Sequence, residues 1–558
     1  MNDSLVPSRR PPHRLLQRIL ESPDLTEQLQ ALPPAVLGKL IDRVGLEDAG
    51  ELVALATTEQ LAQMFDDDLW KSDHPGEEER FDADRFLLWL GAMLEAGDAF
   101  VAKKLVELPV DLVTLAIHRQ ILVLDTEALR VRIETEGDDA FETEKVLADC
   151  LSEEIDAYQI ISRHHEGWDD VLAALLALDV EHHDFLVKIL ERCCRMSSEY
   201  IEDEGGLYEV LTSAEALESD VATDREDRRA QAGHVAPADA AAFLKQARDP
   251  HGLPKGDRDP MTLAYFRGLA KAPATPNVQS ERATVSDDLL RLFGGAGAVE
   301  PTPRILLPAT SEGAQPLLAR VMRRLADDDP RLFFERSEEL AYLANVLLAG
   351  CSFRGRRMRS VEAVRAALAT CSLALELSAS RTAREPRSAP SRPDHVARAS
   401  KVLRERHLDE LFRSASCSLQ NRVVEPAVET AARWLLAAAR NADAEDAERL
   451  SEAALRLQAA SQRGAPWKAA GELDHLFECV EPSLAHTLIA LIDECPSMSG
   501  ALAQERDHFV TTLSDLAAIE AFIDAHHEGR SRQNPNISRA SSRSRSRRAN
   551  RRAQTRAK

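Results

Sequence analysis

The stretch LPPAVLGKLIDRVGLEDAGELVALATTEQLAQMFDDDL, residues 32–69, decides the fold, because it spells out several short helices in succession. Pro33 and Pro34 open the first, where a missing N–H is no loss, and Val36, Leu37, Leu40, Ile41 and Val44 then recur with the period of one helical stripe. Gly45 closes that helix. A second is predicted from about Glu47 to Ala56, and Thr57 or Thr58 can cap a third that carries Leu61, Met64, Phe65 and Leu69. None of them can bury its stripe alone. They must stack, which is the logic of an α-helical array.

The same punctuation continues along the chain. Asp82 or Asp84 caps a helix holding Phe86, Leu87, Trp89, Leu90, Met93 and Leu94, and Gly97 ends it. LVELPVDLVTLAI (residues 105–117) then echoes LQALPPAVLGKLI (residues 29–41), matching Leu29 with Leu105, Leu32 with Leu108, Pro33 with Pro109 and Ile41 with Ile117. Further helices are predicted over Glu144–Ile161, Trp168–Leu178 and Asp184–Tyr200, and from Pro237 through Lys245, while residues 125–145 fit either a short hairpin or a long loop. At residues 272–303 the composition changes to APATPNVQSERATV and FGGAGAVEPTP, which marks a linker. Beyond it helices resume, the last predicted over Ala501–His526. The expectation is an all-α protein of short stacked helices in two halves. Residues 1–13 form a disordered tail, 14–271 an array-like helical domain, 304–529 a second helical domain with a loop at 378–394, and 530–558 a disordered Arg/Ser-rich tail.

Composition supports this class. A chain of 558 residues is too long for one core, and 44% hydrophobic residues with only 5% aromatics leaves Leu, Ala and Val to build the interior, which suits helix-on-helix packing. The net charge of −24 hides an asymmetry. Residues 530–558 hold ten Arg, one Lys and no acid, so once those eleven positive charges are set aside the preceding residues carry −35. Such a body repels nucleic acid and anionic membrane. Eight cysteines without a CxxC pair read as reduced thiols of a cytoplasmic protein. No secretory signal pattern opens the chain, and the longest clean apolar run, Val171–Leu178, falls short of the ~20 residues of a spanning helix, so no membrane partner is expected.

The signatures GxxxxGK[ST], GxGxxG, GxSxG and HExxH are absent, so no catalytic residue and no cofactor is assigned. His475 with Cys479, and His182 with Cys193, share helix faces, but no third ligand follows at a recognisable spacing and no metal is expected. The most distinctive segment is GCSFRGRRMRS, residues 350–360. Its Arg354, Arg356, Arg357 and Arg359 lead to Ser360 at a helix N-terminus, where free N–H groups already favour an anion. The competing reading pairs these arginines with the acidic body. The triplets Asp66–Asp68 and Asp327–Asp329 read as helix-end residues. In the tail, Arg543, Arg545, Arg547, Arg548, Arg551 and Arg552 could contact nucleic acid or an acidic partner.

Four stretches carry a resemblance: VGLEDAGELVALATTEQLAQMFDDDLWKSD, the LxxLDxExxxFLxxILE pattern over Leu175–Glu191, ELAYLANVLLAGCSFRGRRMRSVEAVRAALATC and LIDECPSM. With them the chain resembles a bacterial domain-of-unknown-function family, numbered 6178. The resemblance implies a large helical protein and brings no activity with it. The functional expectation is a non-enzymatic scaffold or adaptor for protein partners. The alternatives are an enzyme or sensor for an anionic, phosphorylated ligand at the Arg354–Arg359 loop, and weak nucleic-acid binding through the tail.

Overall fold

A computed structural model describes residues 25–131, 150–202, 212–249, 258–271, 315–381, 392–472 and 482–527, apart from residues 129, 232, 259 and 504–506. The predicted tails 1–13 and 530–558 and the predicted linker 272–303 lie outside the described residues, as do 382–391 of the predicted loop. The chain forms two compact units, Met1–Ala238 with Pro260–Arg304 and Asp239–Asp259 with Ile305–Lys558. Both are built from helices, with a few short strands.

The first unit begins with α1 (Leu25–Gln30), α2 (Pro34–Val44), a 3-10 turn at Leu46–Asp48, α3 (Gly50–Leu55) and α4 (Thr58–Asp68). The predicted stripe is the buried one: Leu37, Leu40, Ile41 and Val44 face inward, and Gly45 takes a φ of 102° that lets the chain leave the helix. The helix predicted over Glu47–Ala56 divides into the 3-10 turn and α3. Thr57 is the cap of α4, accepting from Gln60 N at 3.1 Å while the Gln60 side chain accepts from Thr57 N at 2.9 Å. The Gln60 amide also donates to the carbonyls of Leu29 and Leu32 at 2.9 and 2.8 Å, so this one residue holds the end of α1 against the start of α4.

Strands β1 (Trp70–Lys71) and β2 (Arg80–Phe81) pair across the polar loop, and α5 (Ala83–Leu94) starts from Asp82, which accepts from Arg85 N at 3.1 Å. After α6 (Asp98–Glu107) and α7 (Val110–Gln120) comes an antiparallel sheet of β3 (Ile121–Asp125), β4 (Ser152–Ile155) and β5 (Tyr158–Ser162) in the order β3-β5-β4. It corrects the helix predicted over Glu144–Ile161. Val123 faces Ile160 and Ile155 faces Tyr158, and Asp156 turns the hairpin with a φ of 53°. The buried Val123 and Ile160 give these residues a partner across strands that no local preference could reveal. Helix α8 (Trp168–Glu202) joins two predicted helices across a kink at His182, and α9 (Ser213–Gln231) follows.

The acidic triplet at the end of α4 is consumed by arginines. Asp66 accepts two bonds from Arg228 at 2.9 and 2.7 Å, Asp68 takes Arg85 at 2.6 Å and Trp89 Nε1 at 2.7 Å, and Arg229 lies 3.5 Å from Asp67. Arg225, only 3% exposed, donates to Asp66 O at 2.6 Å, pairs with Glu79 at 2.7 Å and covers the Trp70 ring at 4.9 Å.

Of the next two helices, α10 (Pro237–Arg248) belongs chiefly to the second unit and α11 (Pro260–Lys271) to the first. The second unit continues with α12 (Leu317–Asp328), α13 (Pro330–Gly350), strands β6 (Ser352–Phe353) and β7 (Arg356–Arg357), α14 (Ser360–Arg381), α15 (Arg392–Glu405) and α16 (Leu408–Leu419). A π segment, Gln420–Val424, joins α16 to α17 (Glu425–Ala439) just before Pro426, whose missing N–H would break an α-helical ladder. Then come α18 (Ala444–Gln462), α19 (Pro466–Glu472), α20 (Pro482–Ile492), strands β8 (Ser497–Met498) and β9 (His508–Phe509), and α21 (Leu513–His527). The helix predicted over Ala501–His526 is therefore only its second half. Small residues let the helices approach closely: a Cβ on Gly350 would lie 2.9 Å from Ala240 Cβ and 2.8 Å from Leu244 Cδ1.

Replacing Leu37 or Phe65 by Ala should cost about 3–5 kcal/mol, since both are fully buried. Leu455→Ala, at a side chain 64% exposed, should change stability by less than about 0.5 kcal/mol. Urea unfolding of the three variants checks this ordering.

Candidate functional site

The arginine-rich segment is a tight hairpin. Arg354 and Gly355, with φ of 54° and 73°, are the two central residues between β6 and β7, and a two-residue loop with the right-handed strand twist needs positive φ at both. Glycine does this freely. A non-glycine residue there is strained by on the order of 1 kcal/mol, and Arg354 is held by contacts that offset it. Its N–H donates to Asp493 Oδ2 at 2.8 Å, and its guanidinium donates to Ser499 Oγ at 3.1 Å and to Asp507. The Phe353 and Phe509 rings meet at 5.0 Å beneath the tip. The segments GCSFRGRRMRS and LIDECPSM thus meet as one site, although neither predicts the other in the sequence.

The helix N-terminus expected to receive an anion already has one. Glu362, in the first turn of α14, accepts from Arg359 N at 2.9 Å and takes Arg356 in a bidentate pair at 2.8 and 2.6 Å. That arginine, with the Arg359 N–H, holds the Glu362 carboxyl down at about 2. Of the predicted anion-binding residues, Arg354 and Arg356 are thus engaged by the chain's own carboxylates; Arg357 and Arg359 are exposed, and Ser360 opens α14.

Behind the hairpin tip lie two acids that the sequence reading left unassigned. Asp493 is 8% exposed and accepts the N–H groups of Arg354 and Glu494, the latter at 2.7 Å. Burial nevertheless pushes its carboxyl up to about 6. Glu494 accepts from Ser352 N and from the Cys351 thiol, and burial raises it too. Arg248 of α10 donates to Glu494 O at 3.4 Å, lies 3.9 Å from Cys351 Sγ and stacks on Trp467 at 4.3 Å. The Cys351 thiol also hydrogen-bonds to Cys495. The arrangement can hold a proton on Asp493 in mildly acidic solution, up to a pH of about 6, and it brings two sulfurs together.

A second cluster is more deeply buried. Glu339, 3% exposed, accepts from Leu408 N at 2.9 Å and from Arg336 at 2.9 Å, meets His407 Nδ1 at 2.6 Å and pairs with Arg258. Burial alone would raise its carboxyl, but His407, Arg336 and the Leu408 N–H together hold it below the usual range. Asp409, 3.3 Å from Arg258, is raised by burial. Glu339, His407 and Asp409 present ligand atoms within 4.8 Å of one another, as a metal site requires. The guanidiniums of Arg258 and Arg336 supply the positive charge there, and the geometry is that of a buried ion-pair network. At the surface, Asp156, Asp179 and His183 also cluster, but the imidazole turns Nδ1 to Asp179 at 2.9 Å and Nε2 to Asp156 at 3.5 Å, and the Asp179 hydrogen bond raises its pKa. His475 and Cys479 lie outside the described residues, as do Arg543, Arg545, Arg547, Arg548, Arg551 and Arg552.

Fold and site together define a helical protein in which, among the described residues, several charged clusters are paired within the chain. Residues 7–204 match the family model described as "Family of unknown function (DUF6178)". The resemblance read from the sequence is borne out over that span, which contains its first two stretches, and it assigns no activity. No curated protein and no solved structure matches the chain.

Asp493 makes the site testable by pH. Its carboxyl is raised from 3.8 to about 6, so the folded state holds the proton more tightly than the unfolded one. The resulting stability is fully present below the unfolded value and is lost as pH rises through about 6. Wild type should therefore lose roughly 2–4 kcal/mol relative to Asp493→Asn between pH of about 3.5 and about 7. Carboxyl NMR titration alongside urea unfolding reads both halves of the effect, and a pH-independent difference rejects it.

Proposed function

We propose that the protein is a non-enzymatic, cytoplasmic scaffold or adaptor that presents a helical face to a protein partner. The observation that carries the reading is on α8. Leu176 and Val180 lie one turn apart, 44% and 81% exposed, just before the kink at His182, while their neighbours Leu175 and Leu178 are fully buried. Two large apolar side chains exposed one turn apart on a helix offer the spacing at which an anchor meets another chain. The ion pairing at the hairpin supports the same reading, because Arg354 and Arg356 spend their charge on Asp507 and Glu362. The one described helix long and apolar enough to cross a membrane, Ser360–Ser380, has 61% of its apolar window buried within the protein, which accords with a role away from the bilayer.

Affinity purification from the native cell, comparing wild type with Leu176→Asp/Val180→Asp, tests the proposal. Both positions face solvent, so the double variant should keep its circular dichroism and melting temperature while at least tenfold less of the partner is recovered. A triple variant, Arg356→Ala/Arg357→Ala/Arg359→Ala, should retain that partner. If the arginine variant instead abolishes a thermal shift produced by a phosphorylated metabolite, and the α8 variant captures the partner normally, the anionic-ligand reading replaces the scaffold.

A further inference from the structure

Cys351 and Cys495 are far apart in the chain, yet two separate sets of contacts bring them together. Cys351 follows the last residue of α13, and its neighbour Ser352 donates its N–H to Glu494, the residue before Cys495. Arg248 bridges the same two segments, touching Cys351 Sγ and the Glu494 carbonyl with one guanidinium nitrogen. The thiols themselves are hydrogen-bonded, and both are unlinked. Their exposure differs: Cys351 is fully buried and Cys495 is partly exposed. Cys193 and Cys371 are also fully buried, but their sulfurs face the backbone carbonyls of Thr114 and Leu408.

We propose that Cys351 and Cys495 are a peroxide-reactive thiol pair whose oxidation forms a disulfide that staples the β6–β7 hairpin to the Asp493–Pro496 turn. Cys495, the sulfur open to solvent, reacts first. Its thiolate attacks hydrogen peroxide, an S–O bond forms, the O–O bond breaks, and the departing hydroxide takes up a proton as water. Cys351 then attacks the resulting sulfenic sulfur. The S–S bond forms and the S–O bond breaks, while the Glu494 carboxylate takes the Cys351 proton and passes it to the departing hydroxide, which leaves as a second water. Two thiols and one peroxide become one disulfide and two waters. The Cys495 hydrogen bond and burial hold the Cys351 proton on, so Cys495 and not Cys351 is the thiol that meets the peroxide. The disulfide closes a long loop of chain, so the oxidised protein should resist unfolding more than the reduced protein.

The test uses the full-length protein with hydrogen peroxide as the only oxidant. After treatment, the reactive thiols are alkylated and the protein is digested without reductant. A peptide pair linking Cys351 to Cys495, lacking two hydrogens, is expected, and so is a higher melting temperature that dithiothreitol reverses. In Cys351→Ser, Cys495 should accumulate a dimedone adduct, the mark of a sulfenic acid with no resolving partner. In Cys495→Ser, Cys351 should remain reduced at the same peroxide dose. The linkage in wild type is read without any substitution, so a poorly folding variant does not leave the question open. Oxidation of other cysteines before this pair overturns the proposal, as does a disulfide joining either residue to a different cysteine.

Discussion

A charged side chain can be withdrawn from water only with a partner of opposite sign, and both units are organised around that requirement. In the first, Arg225 is 3% exposed and satisfied by Glu79, the Asp66 carbonyl and the Trp70 ring. That fixes α9 against the end of α4. In the second, Arg336 and Glu339 are each 3% exposed, and Arg336 also donates to Leu403 O at 3.0 Å near the end of α15. One pair thereby joins α13, the close of α15 and the start of α16. Removing a single member would strand its partner, a loss of about 3–5 kcal/mol, so these networks specify which helices meet more than they add to the stability of the whole.

Carboxylates satisfy backbone donors as well as arginines. Helix N-termini attract anions, and this chain supplies them itself: Glu339 to Leu408 N, Glu362 to Arg359 N, Glu376 to Leu513 N at 2.7 Å and Asp515 to Thr512 N at 3.0 Å. A phosphate approaching α14 would have to displace Glu362 from Arg356, exchanging one bidentate pair for another. The arginine segment is therefore better understood as the basic counterpart of an acidic neighbourhood than as a vacant cradle.

What was legible in the sequence is what depends on nearby residues. The Pro-opened α2, the Gly45 exit and the Thr57 and Asp82 caps each rest on side chains within a few positions of the backbone they satisfy. The strands at Ser152–Ser162 were not legible, because Ile160 is committed to a strand by Val123, which lies well before it in the chain. The same holds for the hairpin site. Arg354 and Asp493 are both visible as residues, but the bond between them joins turns that lie far apart in the chain, and no spacing rule reaches that far. The thiol pair was hidden for the same reason: a CxxC search finds only cysteines that are close in sequence.

With aromatics at 5%, the interiors rest on Leu, Val and Ala packed at short range, as where Gly350 approaches Ala240. Such cores gain from being filled and leave few large apolar groups to spare. Against that background, an exposed Leu176 and Val180 are out of keeping with the rest of α8, whose Leu186, Ile189 and Cys193 are completely buried beyond the kink. The kink at His182 separates the two behaviours. Before it Leu176 and Val180 stay in water beside a buried Leu175 and Leu178, and after it Leu186, Ile189 and Leu190 point inward while Phe185 and Val187 are partly covered. A purely structural helix would gain about 25 cal/mol for each Å² of the Leu176 and Val180 edge it covered. Under the proposed reading, that gain is what a partner chain would draw on.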